Sequence, residues 1–307
     1  MYTQDYSPKQ DNHPLKGTPW HDQYLRLVAL DSLHDALTYP GDSRYKNGVD
    51  AVKNHDREYS DSPRNRWYGC TPAAAEERLR SGWQDGASRI NQLELTDLPT
   101  PRVIKRTRSW TDEGDELSID RLYRGEVDSM WQKMMPRTRT GVLRVTLFAE
   151  MSINSNTEQS ALFWRGATAL RLADLLQSAG YAVRIVVAGS VNDLANKSGH
   201  QLNWVGHWTA KHHSEPLDMD NLAVTVASAA FYRRQFFRLF DHLPPGCSQS
   251  WCLGHAGAGL SDAVAAWMAS ETDDLLIKVG ERVTDQQSAN SWLKSLGQQM
   301  PQIFVDE

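Results

Sequence analysis

Little in this chain of 307 residues points to a specialised environment, and each shortage removes a class of function. There are three cysteines, Cys70, Cys247 and Cys252. An odd, low count in a chain of this size argues against a disulfide framework and fits a reducing cytosol. Positive charge is not in excess: the net charge is -5 and the isoelectric point near 6.1, so there is no global basic field of the kind that draws in nucleic acid. Long apolar runs are missing. The longest, around Leu222 to Phe231, is too short to span a bilayer, and Met1-Tyr2-Thr3-Gln4-Asp5 lacks the basic and apolar regions of a secretory signal. A cytoplasmic protein is the expectation. Internal repeats and low-complexity tracts are absent. So are the Gly-x-Ser-x-Gly elbow, the His-Glu-x-x-His motif and any Cys/His pair in a triad-like context, which removes the hydrolase signatures.

Tryptophan is plentiful, with 11 residues spread along the chain, against a mean hydropathy of -0.56. Both halves therefore have large side chains to bury. The clearest organisation lies between Gly141 and Gly189. Val142 to Phe148 and Tyr181 to Val187 are short, nearly all-apolar, β-branched runs, the pattern of parallel strands covered on both faces. Between them Leu162, Ala169, Leu172, Ala173 and Leu176 recur at helical spacing, with Gly180 placed to stop the helix. This is a βαβ unit, and its crossover must be right-handed.

Taken in order, residues 1–18 are polar. Trp20, Tyr24, Leu27, Leu30, Leu33 and Leu37 predict an amphipathic helix, and residues 41–66 a long, mobile loop. Thr71-Pro72 opens a second helix whose stripe runs through Leu79, Trp83, Gly86, Ile90 and Leu93, with Gly82 and Gly86 small for close packing. Val103 to Trp110 reads as a strand, Asp112 to Asp115 as a turn and Leu117 to Asp120 as its return. A short helix with Trp131 follows over 123–135, then a linker, 136–141. Beyond the βαβ unit, Gln201 to Trp208 suits an antiparallel edge strand. A helix capped by Asp218 or Asp220 runs to about Phe240, and a glycine-rich turn, 254–259, leads into a helix from Ser261 to Met268. Leu275 to Val279 is a strand, Ser288 to Leu296 a helix and Ile303 to Val305 a last short strand. The resulting picture is an α/β fold, a three-layer doubly wound sheet over 141–307, with a mixed α+β N-terminal region over 1–140.

The segment after the first core strand reads Glu150-Met151-Ser152-Ile153-Asn154-Ser155. With the order of elements around it, this resembles the von Willebrand factor A fold, in which an Asp-x-Ser-x-Ser motif at the end of the first strand holds a divalent cation. Here Glu stands for Asp and Asn for the second Ser. The resemblance implies an Mg²⁺ site at Glu150, Ser152 and Asn154, with Thr209 and Asp285 the nearest candidates for the later ligands. The longer Glu arm would shift that ligand, whereas Mg²⁺ demands tight octahedral geometry. The same oxygens also serve as caps for the following helix and acceptors for loop amides, which is the simpler reading. Phe163-Trp164-Arg165-Gly166-Ala167 and Leu172-Ala173-Asp174-Leu175-Leu176…Gly180-Tyr181 further resemble an uncharacterised family of phage and prophage proteins, which implies no activity.

Other constellations carry a similar double reading. Cys247, Cys252 and His255, with His207, His212, His213 and His242, could supply zinc ligands, but Cys-x4-Cys-x2-His matches no standard site. The Gly254–Asp262 turn lacks the Lys-Ser/Thr of a phosphate loop. Arg102, Lys105, Arg106 and Arg108 with Trp110, joined by Arg137, Arg139 and Arg144, could track a phosphate backbone. The acidic turn at Asp112, Glu113, Asp115 and Glu116 would neutralise much of that charge across a salt-bridged hairpin. The expectation is a non-catalytic adaptor or interaction protein, phage-encoded, whose sheet-top loops bind another protein, with no catalytic residue. The alternative is nucleic-acid binding through segments 102–110 and 137–144.

Overall fold

A computed structural model describes residues 2–32, 34–35, 69–94, 98, 109–114, 116–133, 143–151, 158–195, 201–233, 255–256, 260–272, 274–280 and 282–303. Along the chain these form β1 (Tyr2–Tyr6), β2 (Tyr24–Leu30), α1 (Pro72–Ser81) and α2 (Gln84–Ile90). Then come β3 (Ser109–Thr111), β4 (Glu116–Leu117), α3 (Ile119–Tyr123) and β5 (Trp131–Lys133). The core unit is β6 (Arg144–Glu150), α4 (Gln159–Ser178) and β7 (Ala182–Ala195). It is followed by β8 (Gln201–Lys211), α5 (Met219–Leu222), β9 (His255–Ala256), α6 (Leu260–Ser270), β10 (Leu275–Val279) and α7 (Gln286–Ile303). Two compact units result, Met1–Pro99 with Arg144–Glu307, and Thr100–Leu143.

In the larger unit a mixed sheet runs in the order β1-β2-β8-β7-β6-β10, and β9 pairs with β7. The βαβ reading holds: β6 and β7 are parallel, with Leu147 opposite Ile185, and β10 joins β6 in parallel on its other side. Helices cover both faces. Phe148, Val186, Ala188, Leu25 and Leu27 share one cluster with Val264, Ala265 and Met268 of α6. Alternation along the strands turns Leu147, Ile185 and Val187 to the opposite face, where α4 packs on β6 and β7. The mixed sheet between helical layers is an α/β fold. Gly180, at φ 97°, ends α4 in the left-handed region that glycine enters without penalty.

Several expectations give way. The helix over Trp20–Leu37 is instead a 3-10 turn at Pro19–Asp22 followed by β2. β2 is an interior strand between β1 and β8, and its consecutive apolar residues are buried on both faces, so they carry no clean period. The sheet thus includes residues from the first thirty. β8 is antiparallel to β7 as expected, but β2 pairs with it in parallel, so β8 is not an edge. The stripe through Leu79 and Leu93 is broken at Gly82, whose φ of 79° ends α1 and lets α2 start anew. Thr71 does cap α1, accepting from Ala74 N–H at 3.3 Å. The helix after Asp218 is interrupted: a π turn spans Ala223–Ala227, Ser228 is extended, and helix resumes over 229–233. Ile303 closes α7, so no strand begins there; 304–307, the 41–66 loop and the 136–141 linker lie outside the described residues.

In the smaller unit the strand order is β3-β5-β4, so β3 and β4 do not form the expected hairpin but each pair with β5. The helix expected over 123–135 does not form among the described residues: α3 ends at Tyr123, where that helix would begin. Gly125, at φ 74°, turns the chain, and Trp131 belongs to β5.

Candidate functional site

Parallel strands β7, β6 and β10 present their carboxyl ends together, with β7 on one side of β6 and β10 on the other. Such a point, where the chain leaves in two directions, is where open α/β sheets leave a crevice. Glu150, the last residue of β6, is 1% exposed there. Its Oε2 lies 2.5 Å from Lys278 Nζ on β10, and Lys278 also binds Asp262 at the start of α6. Burial acts to lower the Lys278 pKa, but Glu150 and then Asp262 outweigh it and hold the ammonium above its ordinary range. Tyr232 stays a neutral phenol, pushed well up by burial and by the charge of Glu150.

Of Glu150, Ser152 and Asn154, only Glu150 falls among the described residues. The charge that meets Glu150 among the described residues is the Lys278 ammonium. Thr209 accepts from Arg184 Nη2 at 3.1 Å on β8, and Asp285 caps α7 by accepting from Ser288 N–H at 2.7 Å. Among the described residues no group of three His, Cys, Asp or Glu side chains is placed to hold a metal ion. Cys247, Cys252 and His242 lie outside them. His212 and His213 have separate tasks: His212 meets the Asp31 carbonyl at 2.7 Å, and His213 meets Asp274 at 3.1 Å. His207 is buried, and neither ring nitrogen is hydrogen-bonded among the described residues. Its pKa falls to about 4, first through burial and then through the positive charge of Arg184, with Asp31 pulling the other way.

A cavity of about 320 Å³ opens at the N-terminus of α4, lined by Arg78, Trp83, Arg89, Gln159, Phe163 and Ser228 among others. Local sequence explains its walls. Gly86 has no Cβ because the Trp83 ring fills that space, with ring carbon Cδ2 at 2.4 Å from where a Cβ would stand. Trp83 then meets Phe163 edge-on at 5.6 Å. The Arg78 guanidinium lies 4.3 Å from the Trp83 ring centroid, and that of Arg89 3.9 Å from Phe163. Sequence reading did not single out these arginines, because they meet only through the packing of three helices.

The nucleic-acid candidates Arg102, Lys105, Arg106, Arg108, Arg137 and Arg139 lie outside the described residues. Among its exposed charged residues the smaller unit also displays large apolar side chains. Of six large hydrophobic side chains exposed among the described residues, five belong to it: Trp110, Ile119, Leu122, Tyr123 and Val127. Tyr123 is 86% exposed and Ile119 61%. Arg121 fixes the unit internally, its guanidinium 4.2 Å from the Trp110 ring centroid and 3.3 Å from Glu126.

Residues 19–303 match the family described as a domain of unknown function (DUF7192). The chain belongs to that family. Comparison with curated proteins and with solved structures found no match. The family spans both compact units, so the smaller one is an integral part of it. Among the described residues no helix is long and apolar enough to cross a membrane.

Proposed function

We propose that the protein is a non-catalytic interaction protein whose contact with another protein runs through the apolar surface of the 100–143 unit. The observation that carries this is the concentration there of exposed Ile119, Leu122, Tyr123 and Val127, on a unit of 44 residues bounded by Thr100 and Leu143. Leaving such side chains in water costs about 25 cal/mol for each Å² of apolar surface, and clusters of them mark contact surfaces. Single scattered hydrophobics would need no explanation. Here Ile119, Leu122 and Tyr123 share one short helix.

The finer resemblances belong to this reading. The stretch β8-β7-β6-β10, with β8 antiparallel, supports a von Willebrand A-like core. A phage or prophage origin, with a bacterial or phage protein as partner, rests on the 163–167 and 172–181 runs. Mg²⁺ held at Glu150, Ser152 and Asn154 would make that contact cation-dependent.

The test is affinity capture from the native source at low salt, with wild type and an Ile119→Ser/Tyr123→Ser variant, before and after nuclease treatment. A stoichiometric protein held by wild type through nuclease, and lost by a variant with unchanged thermal unfolding, is expected. Equal retention by the variant would sink the reading. Recovery of nucleic acid in place of protein would favour the basic segments, and loss of binding in EDTA alone would support the cation dependence.

A further inference from the structure

The cavity at the head of α4 has no place in the contact just proposed. Its two guanidiniums are each held over an aromatic ring, Arg78 on Trp83 and Arg89 on Phe163. Neither has a carboxylate partner among the described residues. Both arginines line the one cavity, so their positive charges add there, and stacking on rings offsets that only in part. An anion bound in the cavity would neutralise that charge.

The remaining wall is built for the same charge. Gln159 and Ser160 are the first two residues of a helix of 20 residues. Their backbone N–H groups have no acceptor within the helix, and no side-chain hydrogen bond from Glu158 caps them. The Glu158 carboxylate accepts from the Ser160 hydroxyl at 3.3 Å instead. The positive end of the helix therefore faces the same space as the arginines. Ser228, which breaks the π turn, and Gly69 complete the lining.

We propose that this cavity binds the phosphoryl group of a small phosphate monoester. Two cationic forks and a helix N-terminus suit a doubly charged group with three acceptor oxygens better than a single carboxylate. A space of about 320 Å³ is at the small end of ligand sites, roughly 300–1,000 Å³, and holds a phosphate with a short organic body. Trp83 and Phe163 supply the apolar wall for that body.

The experiment titrates inorganic phosphate, and then phenyl phosphate, into the full chain by calorimetry at fixed ionic strength, with thermal unfolding in matched chloride as the control. Saturable binding of both is expected, phenyl phosphate the tighter. Arg89→Gln should weaken it at least tenfold while leaving the protein folded in chloride with only a small loss of thermal stability, since Arg89 is exposed and gives up a ring contact. Arg78→Gln should do the same. If Arg78→Gln does not fold, Arg89→Gln carries the result alone. Absence of saturable phosphate binding, or phosphate binding by Arg89→Gln equal to wild type, overturns the proposal. Both outcomes are independent of protein capture through Ile119 and Tyr123.

Discussion

Glu150 and Lys278 meet at 2.5 Å at the carboxyl end of adjacent parallel strands, and the carboxylate is 1% exposed. A buried pair of this kind adds little over an apolar pair of the same shape, but removing one member strands the other charge away from water. Lys278→Met should therefore destabilise the protein strongly, on the order of 3 kcal/mol. Glu150→Gln costs less, because Lys278 keeps Asp262 and a path to solvent. The double variant Glu150→Gln/Lys278→Met should recover much of the Lys278→Met loss. Urea unfolding of the four proteins measures the coupling, and strictly additive losses would show that the pair does not act as one.

Gly166 marks the closest approach of α4 to the π turn. A Cβ there would stand 2.2 Å from the Val226 carbonyl oxygen and 2.5 Å from Ala227 Cα, both backbone atoms that cannot rotate away. In an open helix Gly→Ala would stabilise by roughly 1 kcal/mol. At this position overpacking outweighs propensity, and Gly166→Ala should destabilise by about 1–3 kcal/mol. A rise in the thermal midpoint would contradict this packing.

How much of this was legible follows from where each signal sits. Leu162, Ala169, Leu172 and Gly180 all lie within one continuous stretch, so α4 and its two flanking strands could be read from period and punctuation alone. β2 could not. Leu25, Leu27, Val28 and Leu30 are all buried because the strand is covered on both faces, and a short all-apolar run fits helix and strand alike. The pairing of β2 with β8, 180 residues apart as Gln23 and Asn203 show in their side-chain hydrogen bond at 2.7 Å, has no local trace. The candidate sites divide in the same way. Glu150 stands out as the acidic end of an apolar strand, whereas Arg78, Arg89 and Ser228 are unremarkable, and Trp83 and Phe163 carry only packing signals, until three segments close around one cavity.

His207 gives the fold a pH dependence with a definite sign. Its ordinary pKa of 6.5 falls to about 4 in the folded protein, first because burial penalises the imidazolium and then because Arg184 is near. Asp31 opposes the shift without reversing it. Between those two values the unfolded chain binds a proton that the folded one refuses, so stability rises with pH. The contribution is complete above pH 6.5, is lost progressively as pH falls toward 4, and is flat below. The full span is on the order of 3 kcal/mol. His13 and His213 are also lowered, first by burial, and slope in the same direction. The isolating measurement is therefore the difference between wild type and His207→Gln in urea-unfolding free energy from pH 7.5 to 4.5. Wild type should lose its advantage over the variant as the pH drops, since glutamine has no proton to take up. Parallel curves across that window would mean that His207 is solvated or protonated in the fold, contrary to the burial of both its ring nitrogens.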